Sequence, residues 1–324
     1  MPPVNRNNPS RARSSESSYS LMEFMREFPD DAACLEHLWR TRYSADGEHA
    51  HCPRCDKERT FRRYNKPGKE TTRVRQVWAC TSCSLQLSPT AGTIFAKSST
   101  SLHLWFYAIW LITSTRCGIS AKQLERELGV TYKTAWRMFN LIRNTLMTQD
   151  YQGTLSGEVE ADETFIGGKP RESYRREVAR KGWNMQTAYW DKKAVVFGAV
   201  ERGGKVRAEV IPNSRGEVVR GKVREYVLPT STVYTDQYEG YNKLRDRYTH
   251  QRINHSARIY VDGPIHTQAI EGFWSLVKNG VRGTYHSVSK KWLQGYLNEY
   301  AWRYNHRDDR EATFRTLLVR AAGN

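Results

Sequence analysis

Three acids and one amine in this chain have the types and spacing for phosphoryl chemistry: Asp162, Asp236, Glu271 and Lys278. Asp162 lies in the stretch Gly157-Glu-Val-Glu-Ala-Asp-Glu-Thr-Phe-Ile-Gly-Gly168, whose alternation with period two predicts a strand ended by the glycine pair. On such a strand Glu158, Glu160 and Asp162 share one face and Val159, Ala161, Glu163 and Phe165 the other. Asp236 closes a second short run, Val233-Tyr-Thr-Asp236. Glu271 sits in His266-Thr-Gln-Ala-Ile-Glu-Gly-Phe-Trp-Ser-Leu-Val-Lys278, where Ile270, Trp274, Val277 and Val281 recur at helical spacing. Glu271, Ser275 and Lys278 form the neighbouring stripe of that helix, so a carboxylate and an amine project together. Carboxylates delivered by two strands and a helix suit hard divalent cations, Mg2+ or Mn2+, two to a site, for an in-line displacement at phosphorus. Lys278 would hold phosphate as a point charge.

The elements that must position these groups read as a mixed α/β arrangement. Ala194–Val200 and Lys205–Ile211, separated by Glu201-Arg-Gly-Gly204, predict a β-hairpin whose first arm is apolar and buried. Gly216–Leu228 predicts an amphipathic helix, 232–236 and 248–254 strands, 265–281 the acid-bearing helix, and 292–304 a last helix with Leu293, Tyr296, Leu297, Tyr300 and Ala301 inward. Helices then cover a central mixed sheet. Between the first two strands, Lys169–Asp191 reads as a basic loop carrying Arg171, Arg175, Arg176, Arg180 and Lys181.

Upstream, Cys52-Pro-Arg-Cys55 and Cys80-Thr-Ser-Cys83 have the spacing of a tetrahedral structural Zn2+ site made by four thiolates. Two disulfides are the alternative, which the missing secretory signal disfavours. Cys34 and Cys117 read as small buried hydrophobes. The interval between the pairs fits two β-arms, Thr60–Tyr64 and Arg73–Trp78, joined by Lys66-Pro-Gly-Lys69, which makes an extended zinc ribbon. Its Arg59, Arg62, Arg63, Lys66, Lys69, Arg73 and Arg75, interleaved with Phe61, Tyr64 and Trp78, form a surface suited to phosphate contacts or a solvated charged face.

Leu21–Arg42 around Pro29 predicts two short helices, and Leu102–Thr115 a buried one. Ser120–Leu128, Gly129-Val-Thr131 and Tyr132–Leu146 read as helix, turn, helix, with Ser120 and Thr131 as N-caps and Leu124, Leu128, Val130, Ala135, Phe139 and Ile142 as the shared apolar face. Tyr132, Lys133, Thr134 and Arg137 at the start of the second helix are placed to reach base edges in a major groove. A plain helical hairpin is the alternative. The cations Arg282, Arg303 and Arg307 flank the last two helices, and those at a helix end are also favourable to its dipole.

Lys and Arg number 51 against 34 acids, a formal charge of +17 over 324 residues, which points to a polyanionic partner. The longest apolar run, 102–113, is too short to span a bilayer, and no membrane partner is expected. Residues 1–20, rich in Asn, Ser, Pro and Arg, predict a disordered basic tail, and no secretory signal is read there.

The segments Glu160-Ala-Asp-Glu-Thr-Phe-Ile-Gly-Gly-Lys169, Tyr234-Thr-Asp-Gln-Tyr-Glu-Gly-Tyr241, His266–Lys278, Gly283-Thr-Tyr-His286 and Arg303-Tyr-Asn-His-Arg307 resemble, in order, those of the IS1595 (ISXO2-like) family of insertion-sequence transposases, and the likeness extends from about Cys34 onward. The resemblance implies an RNase H-like core of the DDE type over 151–324, preceded by N-terminal helices and a zinc ribbon over 21–98 and a helix-turn-helix region over 99–150. Asp162 and Asp236 match the first two acids, Glu271 the third and Lys278 the lysine seven residues on, while Gln268 and His266 compete for the third ligand position. The implied activity is binding of terminal inverted repeats in double-stranded DNA, water-driven cleavage at the element's end, and attack of the freed 3′-hydroxyl on target DNA. It would act as a homo-oligomer on DNA, in the cytoplasm at the nucleoid. A DNA-binding regulator with an inactive nuclease fold, or a nuclease without strand transfer, would share most of these features.

Overall fold

A computed structural model describes residues 19–66, 75–115, 117–148, 153–168, 172–184, 186, 193–254, 261, 263, 265–309 and 313–323. Most of the basic tail, the turn carrying Lys69 and Arg73, Arg171 and much of 185–192 lie outside them. The chain divides into two units, Met1–Leu146 with Asp309–Asn324, and Met147–Asp308. No helix among the described residues is long and apolar enough to cross a membrane.

In the first unit Pro29 separates α1 (Leu21–Glu27) from α2 (Asp31–Arg42). Ser20 and Glu23 close a capping box on α1, and Asp30 caps α2, satisfying N–H groups a helix start would leave bare. Strands β1 (His49–Cys52), β2 (Lys57–Lys66), β3 (Arg75–Cys80) and β4 (Gln86–Leu87) form an antiparallel sheet in sequence order. Trp39 stacks on Trp78 with ring centroids 4.8 Å apart, and both pack with Phe61, Cys52 and Cys80. Phe61 and Trp78 are therefore interior to the ribbon, and the surface expected to carry aromatics keeps Tyr64 as its exposed ring.

Helix α3 (Leu102–Ser114) follows, then α4 (Ala121–Leu128) and α5 (Tyr132–Leu141), continued by a π-helical turn over Ile142–Leu146. The side chains of Ser120 and Thr131 accept from the N–H groups of Gln123 and Thr134, as the sequence predicts. Gly129 takes the left-handed conformation, φ 62°, that ends α4 and turns the chain. Leu124, Leu128, Ala135, Phe139 and Ile142 are buried.

The second unit is built on a five-stranded sheet of order β7-β6-β5-β8-β9. Strand β5 (Glu158–Ile166) is central, antiparallel to β6 (Ala194–Glu201), which pairs in turn with β7 (Val206–Ile211). On its other side β5 runs parallel to β8 (Thr232–Thr235), and β8 to β9 (Thr249–Arg252). The segment read as a basic loop contains a helix, α6 (Glu172–Arg180), whose one buried apolar side chain is Val178. Helix α7 (Gly216–Tyr226) covers one face of the sheet, with Val219, Val223 and Tyr226 against Val159, Ala161 and Phe197. Helices α8 (Gln268–Asn279) and α9 (Leu293–Asn305) cover the other, with Ile270, Trp274, Leu297 and Tyr300 against Val196, Val200 and Ala208.

This is the expected mixed sheet flanked by helices. The C-terminal α10 (Thr313–Ala321) belongs instead to the first unit, where Phe314 enters the aromatic group of Tyr19, Phe24 and Phe28 and Arg315 pairs with Glu27.

Candidate active site

The parallel pairing of β5 with β8 sets Glu158 beside Thr232 and Glu160 beside Tyr234. Carried two residues further, the same register brings Asp236, just past the end of β8, alongside Asp162. Asp162 lies on the face covered by α8, and the charge of Asp236 is felt there. Asp162 is half-buried and accepts a hydrogen bond at 2.9 Å from the indole N–H of Trp274 on α8. Asp236 accepts the backbone N–H of Tyr238 at 2.9 Å, which turns the chain away after the strand.

Burial pushes the Asp162 carboxyl up to about 7, with the charges of Glu163 and Asp236 adding to the shift and the Trp274 bond opposing it. Glu163 is likewise raised to about 7, by burial first and by Asp236 as well, against a hydrogen bond from the Tyr241 hydroxyl. Glu163, assigned by strand alternation to the other face, is thus electrostatically part of the same acid group, a role the sequence reading missed although it adjoins Asp162. Among the described residues no Lys or Arg pairs with Asp162, Glu163 or Asp236. Half-buried carboxylates with no such base beside them are a donor set that suits divalent cations.

Glu160, on the same face, is differently employed. Its carboxylate is fully buried and accepts Arg202 Nε at 2.8 Å and the backbone N–H groups of Ala269 at 2.7 Å and Ile270 at 3.1 Å. Those N–H groups open α8, so Glu160 caps from a distance the helix that carries Glu271. Arg202 also donates to the His266 carbonyl at 2.9 Å and lies over the Tyr234 ring at 4.0 Å. The sequence places Arg202 only in a hairpin turn, and its role depends on partners far along the chain. Glu158 accepts the Tyr234 hydroxyl at 2.8 Å.

Of the candidates for the third ligand, Glu271 is exposed at the first turn of α8 and accepts the Thr267 hydroxyl at 2.8 Å. Gln268 is exposed at the helix start, and His266 turns its Nδ1 toward Glu160 at 3.1 Å. Lys278 is half-buried two turns beyond Glu271. Among the described residues, the only group of three or more possible metal ligands within 4.8 Å of one another is Cys52, Cys55, Cys80 and Cys83. The three acids do not gather that closely.

The cysteine group has the form of paired knuckles. After each pair the next residue is left-handed, Asp56 at φ 51° and Ser84 at φ 59°, and its N–H returns to the carbonyl of Cys52 or Cys80 at 2.8 and 2.9 Å. Each turn so folds two thiols toward one point, and the four sulfurs are compatible with zinc. Cys34 is buried as expected, but Cys117 is exposed.

The expected DNA contacts fall into two groups. Tyr132, Lys133 and Arg137 on α5, Arg62 and Arg63 on β2, Arg175 and Arg176 on α6, and Arg282 after α8 are exposed, with Thr134 half-buried. Arg175 and Arg176 lie near Glu172, at 3.7 and 3.6 Å. Arg303 is held by fully buried Glu299 at 2.8 Å, and Arg307 donates to the carbonyls of Gly204 and Tyr304 at 3.0 and 2.7 Å. Both brace the fold, as does Asn305, whose side chain pairs with the backbone of Val206 at the edge of β7.

The ISXO2-like transposase domain model matches residues 154–305, the span of this sheet and its covering helices. The chain is 29% identical over 262 residues, 78% of its length and 84% of the relative's, to an uncharacterized protein in transposable element ISH50 of Halobacterium salinarum. It is 32% identical over 102 residues, 31% of its length and 81% of the relative's, to an uncharacterized transposase-like protein of Haemophilus influenzae. No solved structure matches. With a matched domain that contains Asp162, Asp236 and Glu271, and relatives of the same kind, the chain belongs to the ISXO2-like (IS1595) transposase family.

Proposed function

We propose that this protein binds the terminal inverted repeats of an insertion sequence and catalyses DNA strand cleavage and strand transfer, using Asp162, Asp236 and Glu271 to hold two magnesium or manganese ions. The observation that carries this reading is the approach of Asp236, the residue after β8, to Asp162 on the adjoining parallel strand β5, close enough for its charge to raise the Asp162 carboxyl, with no Lys or Arg paired to either among the described residues. The strand order, antiparallel on one side of β5 and parallel on the other, is consistent with an RNase H-like core. Bound there, the cations would neutralise the acids and polarise the scissile phosphate.

The protein's own share is orientation. Strands β5 and β8 fix two acids relative to each other, and α8 presents a third. On an ideal helix Glu271 stands about 60° around the axis from Trp274, and Gln268 about 120°. Trp274 touches Asp162, so Glu271 is favoured as the third ligand over Gln268. Lys278 lies about 40° from Trp274 and would bind phosphate beside the acids. The four-cysteine ribbon holds a structural zinc, and α4 with α5 act as a helix-turn-helix, Tyr132, Lys133, Thr134 and Arg137 facing bases while Arg62, Arg63, Arg175, Arg176 and Arg282 face phosphates.

The test is Asp162→Asn and Asp236→Asn, assayed on duplexes bearing the element's end. Each should abolish magnesium-dependent cleavage and leave end binding nearly intact; wild-type cleavage by either variant overturns the assignment. A strand-transfer assay on pre-cleaved ends separates the transposase from a nuclease that never joins strands.

A further inference from the structure

We infer that Trp274 is a positioning residue of the cation site, holding the Asp162 carboxylate in one orientation from the helix that carries Glu271 and Lys278; this rests on the reading of Asp162 as a metal ligand.

Three observations converge on the indole. Its Nε1–H donates to Asp162 Oδ2 at 2.9 Å, leaving Oδ1 as the oxygen this bond does not engage. A carboxylate so bound loses rotation about its terminal torsion, the freedom that otherwise blurs a ligand's position. The ring itself is fixed: Trp274 is 3% exposed and tilts against Phe273 at 5.2 Å. The third observation is Gly198. It is the cross-strand partner of Asp162, and a Cβ there would stand 2.7 Å from two carbons of the Trp274 ring and 3.0 Å from Ile270. The missing side chain on β6 thus leaves the space through which the indole reaches the acid on β5. Tryptophan is the side chain that combines a filling ring with a single N–H donor at its edge. A merely apolar contact at this place would not need that donor, and Phe or Leu would fill the space as well.

The same bond joins two elements. Strand β5 supplies Asp162 and helix α8 supplies Glu271, so the Trp274 link sets the spacing between ligands that come from different layers of the fold.

The experiment is calorimetric titration of Mn2+ into the full-length protein, without DNA, for wild type, Trp274→Phe, Gly198→Ala and Asp162→Asn. Trp274→Phe keeps an aromatic ring and removes the donor; Gly198→Ala keeps the donor and crowds the ring. Loss of an outer partner of a metal ligand weakens metal binding by about 10-fold to 100-fold. Trp274→Phe should therefore bind Mn2+ at least about tenfold more weakly while keeping wild-type circular dichroism and end-DNA binding. Gly198→Ala should weaken Mn2+ binding in the same direction, and less so in a Trp274→Phe background, because it acts through the ring. Unchanged Mn2+ affinity in Trp274→Phe overturns the inference, and if that variant does not fold, unchanged affinity in Gly198→Ala does so. Wild-type Mn2+ affinity in Asp162→Asn would instead overturn the cation site itself.

Discussion

At the scale of single residues, Asp162 and Glu163 stand apart because burial disfavours their charged forms. Their carboxyls titrate near 7 in place of 3.8 and 4.5. A folded-state value raised above the unfolded one means that the protonated form is favoured by folding. The contribution is complete below about pH 4 and disappears as pH rises through about 7. Without divalent cations, the wild type should therefore lose more melting temperature between pH 4 and pH 8 than the Asp162→Asn/Glu163→Gln double variant. That comparison cancels the other titrating groups, including His37 and His250, whose values burial lowers. Adding magnesium at pH 8 should restore the wild type and leave the variant unmoved. Parallel melting curves for the two proteins would remove the acids from any account of cation binding.

At the scale of elements, the site depends on a cap supplied from outside the capped helix. Thr267 occupies the N-cap of α8 but makes no side-chain cap bond, giving its hydroxyl to Glu271. The first N–H groups of α8 turn instead to Glu160, which Arg202 also engages. Removing one partner of a buried ion pair strands the other, at a cost of about 3–5 kcal/mol. Glu160→Ala should cost about that much in urea unfolding of the Met147–Asp308 unit, and Glu160→Gln less, because an amide oxygen still accepts. A loss below about 1 kcal/mol would mean that water takes over the role.

The alternation of residues 158–166 made the shared face of Glu158, Glu160 and Asp162 legible, as the Ser120 and Thr131 caps and the apolar face of α4 and α5 were. What distinguishes Glu160 from Asp162 was not legible, because it lies in contacts 42 and 109 residues away. Trp274 reads locally as one more member of an apolar stripe, and only the sheet register shows that it faces Asp162. The interior positions of Phe61 and Trp78 escaped notice for the same reason, since Trp39 from α2 covers them. Local pattern fixes which side of an element a residue occupies, whereas its task is decided by whatever arrives on that side from elsewhere.

At the scale of the whole molecule, a charge of +17 implies that affinity for DNA has a large salt-dependent part, and the structure sorts which cations can supply it. Arg303 is committed to Glu299 and Arg307 to backbone carbonyls, so neither is free to neutralise a phosphate without giving up an internal partner. Arg62 and Arg176 are exposed on β2 and α6. Each phosphate contact contributes about 0.9 to the slope of log affinity against log salt. Arg62→Ala and Arg176→Ala should each reduce that slope by about 1, equally on end-sequence and unrelated duplexes. Arg137→Ala on α5 should cost about 1–3 kcal/mol on the end sequence alone, as loss of a base contact does. Arg303→Ala should leave the slope unchanged and lower stability, because it takes the cation away from the fully buried Glu299 carboxylate. Fluorescence titrations between about 50 and 200 mM salt, on both duplexes, check all of these. A slope reduced by Arg303→Ala and untouched by Arg62→Ala would mean that the DNA path follows the end of α9 and not the arm of the ribbon.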